Sequence, residues 1–248
     1  MPANNSACAI LVPQFGAVSA RCEEGLRELE RRGYSIRRGR GFSAIDQGRN
    51  QMASAALVDG FEETMWVDPD IGFSADSVDR LRAHGLPICC GIYPQSGGRS
   101  LACHLLQGTE TLVFGEQGGL VEIKYAAAGF LHVRREAYET IRNCLKLPLC
   151  NTRFGRGNWP FFHPQAVEED GQESGVRSQG SGIGSQQVPV THRYLTEDYA
   201  FSHLARRAGL KVMADTTIRL WHSGSYGYGW EDAGSAPERS DTYRFQVE

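Results

Sequence analysis

What most constrains this chain is an alternation in its first 94 residues. Three apolar runs, ACAILVP (7–13), TMWVD (64–68) and LPICCGIYP (86–94), are separated by stretches with helical periodicity. In SARCEEGLRELERRG, Cys22, Leu26 and Leu29 recur on one helical face before Gly33 stops the pattern. GRNQMASAALVDG is a second such pattern, and FSADSVDRLRAHG a third, with Ser74 as N-cap, Val78 and Leu81 on one face and Gly85 as the stop. Strands alternating with helices predict an α/β fold: a mixed, mostly parallel central sheet flanked by helices, in a single domain. Ligands of such sheets gather beyond the carboxyl ends of strands, where Pro13, Gln14, Asp68 and Asp70 fall.

After residue 94 the pattern loosens. LLQGTETLVFG and GGLVEIKYAAAGFLHV read as extended segments with glycine-rich turns, where antiparallel strands are expected. RREAYETIRNCL and TEDYAFSHLARRAG read as helices, the second capped by Thr196; KVMAD and TIRLWHSG read as short strands. Residues 151–192 are dominated by Gly, Ser, Gln and charge, as a flexible loop would be, and 231–248 form a polar tail.

Composition narrows the function classes. With 248 residues, 41% apolar and 22% charged, the chain can bury a real core. A net charge of −3 supplies no general field for polyanions. A nucleic-acid contact would have to be local, and RRGYSIRRGR, with Arg31, Arg32, Arg37, Arg38 and Arg40, is where it would sit if it is more than a solvated face. Seven cysteines without Cys-x-x-Cys spacing suit reduced thiols in a cytoplasmic protein, with Cys89 and Cys90 packing in a strand. No run has the length of a bilayer span, and the first residues lack the pattern of a secretory signal.

Several residues could carry chemistry. In MWVDPDIGF, Asp68 and Asp70 lie one residue apart, so an extended backbone would point both carboxylates to one side, where they could share a divalent cation; otherwise they form a solvated turn. His222 ends an apolar run and is either structural or the completion of such a cation site. Glu197 and Asp198 complement a helix dipole, or one of them faces a cleft as general base. Arg49 and Asn50 head a helix just after Asp46, and the guanidinium there pairs with phosphate or bridges to an acid.

Taken in order, four segments resemble the GT-A glycosyltransferases, enzymes that use nucleotide-sugar donors. They are AILVPQFG, GRNQMASAALVDGFEETMWVDPDIGF, AAGFLHVRREAYETI and LTEDYAFSHLARRAGLKVMADTTIRLWHSG. The resemblance implies a GT-A-like, Rossmann-like catalytic domain over 1–230, with a nucleotide-sugar-binding half (1–94) and an acceptor-side half (95–230). It implies Mn²⁺ or Mg²⁺ held by Asp68, Asp70 and His222 against the diphosphate, with Asp70 the more direct ligand. Val12, Pro13, Gln14, Arg49, Asn50, Asp46 and Gly129 would line the donor, which would be UDP- or GDP-linked. Asp198, with Glu197 beside it, matches the acid near the acceptor. Trp159, Phe161, Phe162 and Tyr93 are the candidates for acceptor stacking.

The expected activity is therefore transfer of a hexose to a hydroxyl of an acceptor the sequence does not name. That acceptor could be a glycan, a small molecule or, with least weight, a nucleic-acid base. Two other readings remain open at this level. Sugar-phosphate nucleotidyl transfer would favour a basic, glycine-rich loop after the first strand, and PQFGAVSAR has little of one. A non-catalytic nucleotide- or carbohydrate-binding module would not need Asp198.

Overall fold

The computed structural model describes residues 4–95, 100–168, 191–224, 227–233 and 242–246. The middle of the segment read as a flexible loop, 169–190, and most of the C-terminal tail lie outside the described residues.

The amino-terminal alternation folds as its periodicity dictates. β1 (Cys8–Pro13) leads to α1 (Ala20–Arg31), whose N-cap Ser19 accepts a bond from Cys22 N; β2 (Ser35–Gly39), α2 (Ile45–Val58) and β3 (Glu63–Val67) follow. β4 (Ile71–Gly72), α3 (Ala75–Ala83) and β5 (Ile88–Cys90) complete this half. The second half runs β6 (Cys103–Leu105), β7 (Thr111–Gly115), β8 (Leu120–Ala126), β9 (Phe130–Arg134) and α4 (Arg135–Leu145). It continues with β10 (Gln165–Glu168), β11 (His192–Leu195), α5 (Glu197–Arg207) and β12 (Val212–Asp215). β13 (Trp221–Ser223), β14 (Gly227–Tyr228) and β15 (Thr242–Gln246) end the chain's described strands.

Eight strands form one sheet in the order β2-β1-β3-β9-β5-β12-β8-β6. Three pairings, β1·β2, β1·β3 and β5·β12, are parallel, and four, β3·β9, β5·β9, β8·β12 and β6·β8, are antiparallel. The expected mostly parallel sheet is thus corrected to a mixed one with antiparallel pairs in the majority. The reason is β9: it arrives without a covering helix before it and inserts antiparallel between β3 and β5, an insertion that no local pattern encodes. β2 is a further difference, since Ser35–Gly39 of the arginine-rich segment read as a solvated face form an edge strand, while Arg31 ends α1 and Arg32 is its C-cap. The charges of β2 suit an edge, where they discourage pairing with another chain. Arg37 pairs with Asp59, Arg38 with Glu23, and Arg40 donates to Gln14. β15, from the tail, pairs antiparallel with β7.

Both faces of the sheet are covered. Ala9 and Leu11 of β1 face the helices α2, α4 and α5 in one core with Trp66, Tyr138, Phe162 and Phe201; Ile10 and Val12 face α1 and α3 in the other with Leu26, Met65 and Leu81. Successive residues of β1 alternate between the two cores, as the twofold repeat of a strand requires. Cys89 and Cys90 split in the same way, and all seven cysteines are free. Among the described residues no helix is long and apolar enough to cross a membrane.

Candidate active site

The site forms where β3 leaves the sheet. Asp68, Pro69 and Asp70 make a tight turn pinned from several sides: Asp68 N donates to Gly129 O (2.9 Å), Ile71 N to Asp68 O (3.0 Å), Ser19 N to Pro69 O (2.8 Å) and Ser223 N to Asp70 O (2.7 Å). The backbone turns here rather than continuing as an extended strand. Each of the two carboxylates takes its own partner.

Asp68 is taken by Arg49. The Arg49 Nη2 group donates to both Asp68 oxygens, at 2.9 and 3.0 Å, and its Nε reaches Glu197 Oε1 at 3.4 Å. The side chain is 3% exposed and its guanidinium lies 5.5 Å from the centre of the Trp66 ring, while its Nη1 has no hydrogen-bond partner among the described residues. Burial opposes the arginine's charge, but Asp68, Glu197 and Asp198 outweigh it and hold the group protonated. The acids themselves remain uncomfortable. Burial pushes the Asp68 carboxyl above its usual range despite Arg49, with Asp70 and Asp198 adding to the rise. Burial and the neighbouring Asp198 likewise raise Glu197.

Asp70 is taken by His222. The Nε2 of His222 lies 3.1 Å from Asp70 Oδ2, and its Nδ1 lies 2.9 Å from Pro94 O. A carbonyl can only accept, so Nδ1 carries a proton and Nε2 is the nitrogen turned toward Asp70. Burial pulls the imidazole toward the neutral form, but the bonds to Asp70 and Pro94 and the charges of Asp70 and Asp68 prevail and raise its pKa. β13 brings this about, because His222 stands opposite Ile71 of β4. The edge of the imidazole meets the Tyr93 ring at 5.5 Å.

Gly129 closes the floor. Its N–H donates to Tyr93 Oη at 3.0 Å, and a Cβ there would collide with that oxygen and come within 3.1 Å of Asp68 Oδ2. Only glycine lets β9 start this close to the acids. Asp198, in the first turn of α5, accepts from Thr196 Oγ1 (2.6 Å) and from Tyr199 N (2.8 Å) through its Oδ1. Its charge is felt by Asp68, Glu197 and Tyr93, which places it in the same electrostatic unit.

The structure therefore gathers Arg49, Asp68, Asp70, Tyr93, Gly129, Glu197, Asp198 and His222. It puts other expected residues elsewhere. Phe161 and Phe162 are fully buried: Phe162 stacks on Phe201 (4.7 Å, 13°) and meets Trp66 edge-on, and Phe161 packs on Tyr138, so neither can stack on an acceptor. Their apolar area is core area, and a local sequence of aromatics does not distinguish the two uses. Trp159 is partly buried under Arg142. Tyr93 is 5% exposed and forms the floor rather than an acceptor platform. Asn50 gives its side-chain oxygen to Phe162 N (2.7 Å) and so holds the aromatic segment to α2. Val12 and Pro13 are buried in β1; Gln14, just past it, donates to Gly16 O and accepts from Arg40, and Asp46 sits in the first turn of α2. Sequence reasoning missed the Pro94 carbonyl, a backbone group that carries no sequence signal.

Among the described residues no group of three or more His, Cys, Asp and Glu converges as a ready-made metal centre. With Asp68 committed to Arg49, the expected three-residue set reduces to Asp70 and His222. Those two still fit a hard divalent cation: a half-exposed carboxylate beside an imidazole whose other nitrogen is anchored by a carbonyl, the usual arrangement behind a ligating histidine. Two protein donors leave most positions for substrate oxygens and water, as is common for Mg²⁺-type sites.

No family model and no curated protein matches the chain. Solved structures do. One is the crystal structure of A197 from STIV, 13% identical, with a TM-score of 0.50 over 88% of this chain and 85% of that one. The likeness is one of fold. At this identity it carries no statement about activity.

Proposed function

We propose that the protein is a metal-dependent glycosyltransferase of GT-A type, moving a sugar from a nucleoside diphosphate donor to an acceptor hydroxyl. The observation that carries this reading is the pairing of Asp70 with an imidazole oriented by Pro94 O, beside the Arg49–Asp68–Glu197 cluster and within the electrostatic reach of Asp198. Four carboxylates there face one buried guanidinium and one imidazole, a surplus of negative charge that a bound cation would offset. Mn²⁺ or Mg²⁺, held by Asp70 and His222, would offset the charge developing on the departing diphosphate.

The chain's own groups supply the remainder. Asp68 fixes Arg49, and the unpartnered Nη1 of that arginine is a buried donor waiting for an oxygen of the donor substrate. Asp198, oriented by Thr196 Oγ1, accepts the proton of the acceptor hydroxyl. The acceptor oxygen then bonds to the anomeric carbon, and the bond from that carbon to the phosphate oxygen breaks with its electron pair on the nucleoside diphosphate. Turnover of UDP- and GDP-linked sugars with Mn²⁺ or Mg²⁺, read as nucleoside diphosphate release, tests the proposal. Release is expected for at least one donor and lost in Asp70→Ala; equal release in the variant, or none with any donor, overturns it.

A further inference from the structure

A second cleft lies between α2 and the loop that follows α4. It encloses about 250 Å³ and is lined by Gln51, Ser54, Ala55 and Val58 of the helix and by Phe154 and Arg156 of the loop, among others. Successive helical residues turn by roughly 100°, so these helix positions lie on the side of α2 opposite Arg49. The cleft is separate from the candidate active site, and its assignment is independent of the function proposed for that site.

The loop is held in place. Cys150 and Asn158 exchange two backbone bonds of 2.9 Å, Asn151 Nδ2 donates to Asn158 Oδ1 (3.0 Å), Trp159 N to Ser54 Oγ (2.9 Å) and Arg156 Nη1 to Asp59 Oδ1 (2.8 Å). Two residues inside it, Asn151 (φ 60°) and Gly157 (φ 72°), adopt the left-handed conformation. At its tip Phe154 is 87% exposed. A pinned loop that turns a whole aromatic ring to water above a formed cavity has a surface ready for a ligand, because little ordering remains to oppose binding.

We infer that this cleft is a non-catalytic binding site for a pyranoside ring. The volume lies below the roughly 300–1,000 Å³ of sites for drug-sized molecules, which suits a single ring. The floor of Ala55 and Val58 and the face of Phe154 match the C–H-rich face of a sugar. The Gln51 amide and the Arg156 guanidinium are planar groups able to bond adjacent hydroxyls in pairs. Arg156 and Arg37 share the one carboxylate of Asp59, which fixes the Arg156 guanidinium at the rim of the cleft.

Titration of the isotope-labelled protein with methyl pyranosides of glucose, galactose, mannose and N-acetylglucosamine, followed by amide shifts, tests this. At least one sugar should saturate below about 100 mM, with shifts confined to residues 150–158 and the outer face of α2. Phe154→Ala should weaken that sugar by roughly tenfold, as should Gln51→Ala to a smaller extent, with nucleoside diphosphate release from any donor unchanged. Failure of all four sugars, shifts that centre on Asp70 instead, or equal affinity in both variants overturns the assignment.

Discussion

The two ends of β3 carry the same ingredients and use them oppositely. At its start, Glu63 accepts from Arg82 Nε (2.8 Å), Arg82 Nη2 (3.1 Å) and His132 Nε2 (2.8 Å). Arg82 spends its other N–H groups on Asn5 Oδ1, Tyr34 Oη and Asn4 O. Burial alone would raise the Glu63 carboxyl, yet these bonds bring it down to about 2. Just past the other end, Asp68 also meets a buried arginine, but there burial wins and the carboxyl is raised. The arginine has a donor to spare, and further acids crowd it. A cluster whose charges are matched anchors a fold, although His132 Nδ1 there also lacks a hydrogen-bond partner among the described residues; one with surplus carboxylate is built for something it does not itself contain.

The largest effect should come from the unmatched end. Asp198→Asn is expected to lower donor turnover about 10²–10⁴-fold, while its unfolding free energy from urea titration changes by no more than about 0.5 kcal/mol. A large stability loss in that variant would erase the distinction between the two ends. The matched end should answer in the opposite way. Glu63→Ala leaves Arg82 buried without its acid and should cost about 3–5 kcal/mol of stability, with turnover per folded molecule retained. Its pH dependence has a definite sign. The folded pKa of Glu63, about 2, lies below the ordinary 4.5, so its stabilisation is complete above 4.5 and disappears as the pH falls toward 2. Burial also lowers the His132 pKa below the ordinary 6.5, so protonation of the unfolded chain as the pH falls through 6.5 acts in the same direction. Acid unfolding followed by circular dichroism should show a steep loss in the wild type between pH 4.5 and 2 that is shallower in Glu63→Gln.

The same contrast explains what could be read in advance. α1, α2, α3, α4 and α5 were legible because each buries a stripe with helical spacing, β1 because it is apolar throughout and β3 because it ends in the apolar run Met65–Val67. The residues that meet at the candidate site drew notice in the sequence because Asp68, Asp70 and His222 are polar groups at the ends of apolar segments and Glu197 opens a helix. Their partnerships did not. That Arg49 binds Asp68 and Glu197, and that Pro94 O orients His222, depends on how β9 and β13 are inserted, which is tertiary information. Phe161 and Phe162 misled for the converse reason: core aromatics and ligand-stacking aromatics are the same residues in different surroundings.

A smaller effect with an unusual sign should follow at Asp68. Its folded pKa lies above the ordinary 3.8, so the ionised carboxylate is a burden on the fold at neutral pH and the burden lifts as the pH falls through the raised value. Asp68→Asn should therefore be more stable than wild type at pH 7, by about 1 kcal/mol, while turnover falls. The gain should vanish near pH 3.8, where wild type is protonated as well. Destabilisation at pH 7 would mean that Arg49 depends on Asp68 as Arg82 depends on Glu63.

The smallest effect belongs to the edge strand, which supplies the control for both ends. Arg38 pairs with Glu23 at 2.9 Å, as close as Arg49 to Asp68, but the two side chains are 29% and 30% exposed. Water already solvates both charges there, so forming the pair gains little and losing it costs little. Arg38→Ser should lower the unfolding free energy from urea titration by less than about 1 kcal/mol, and the difference should disappear in about 1 M salt, where screening acts over roughly 3 Å. A salt-resistant loss comparable to that of Glu63→Ala would show that burial is not what separates the pairs. The contrast between the ends of β3 would then have to rest on the count of charges alone.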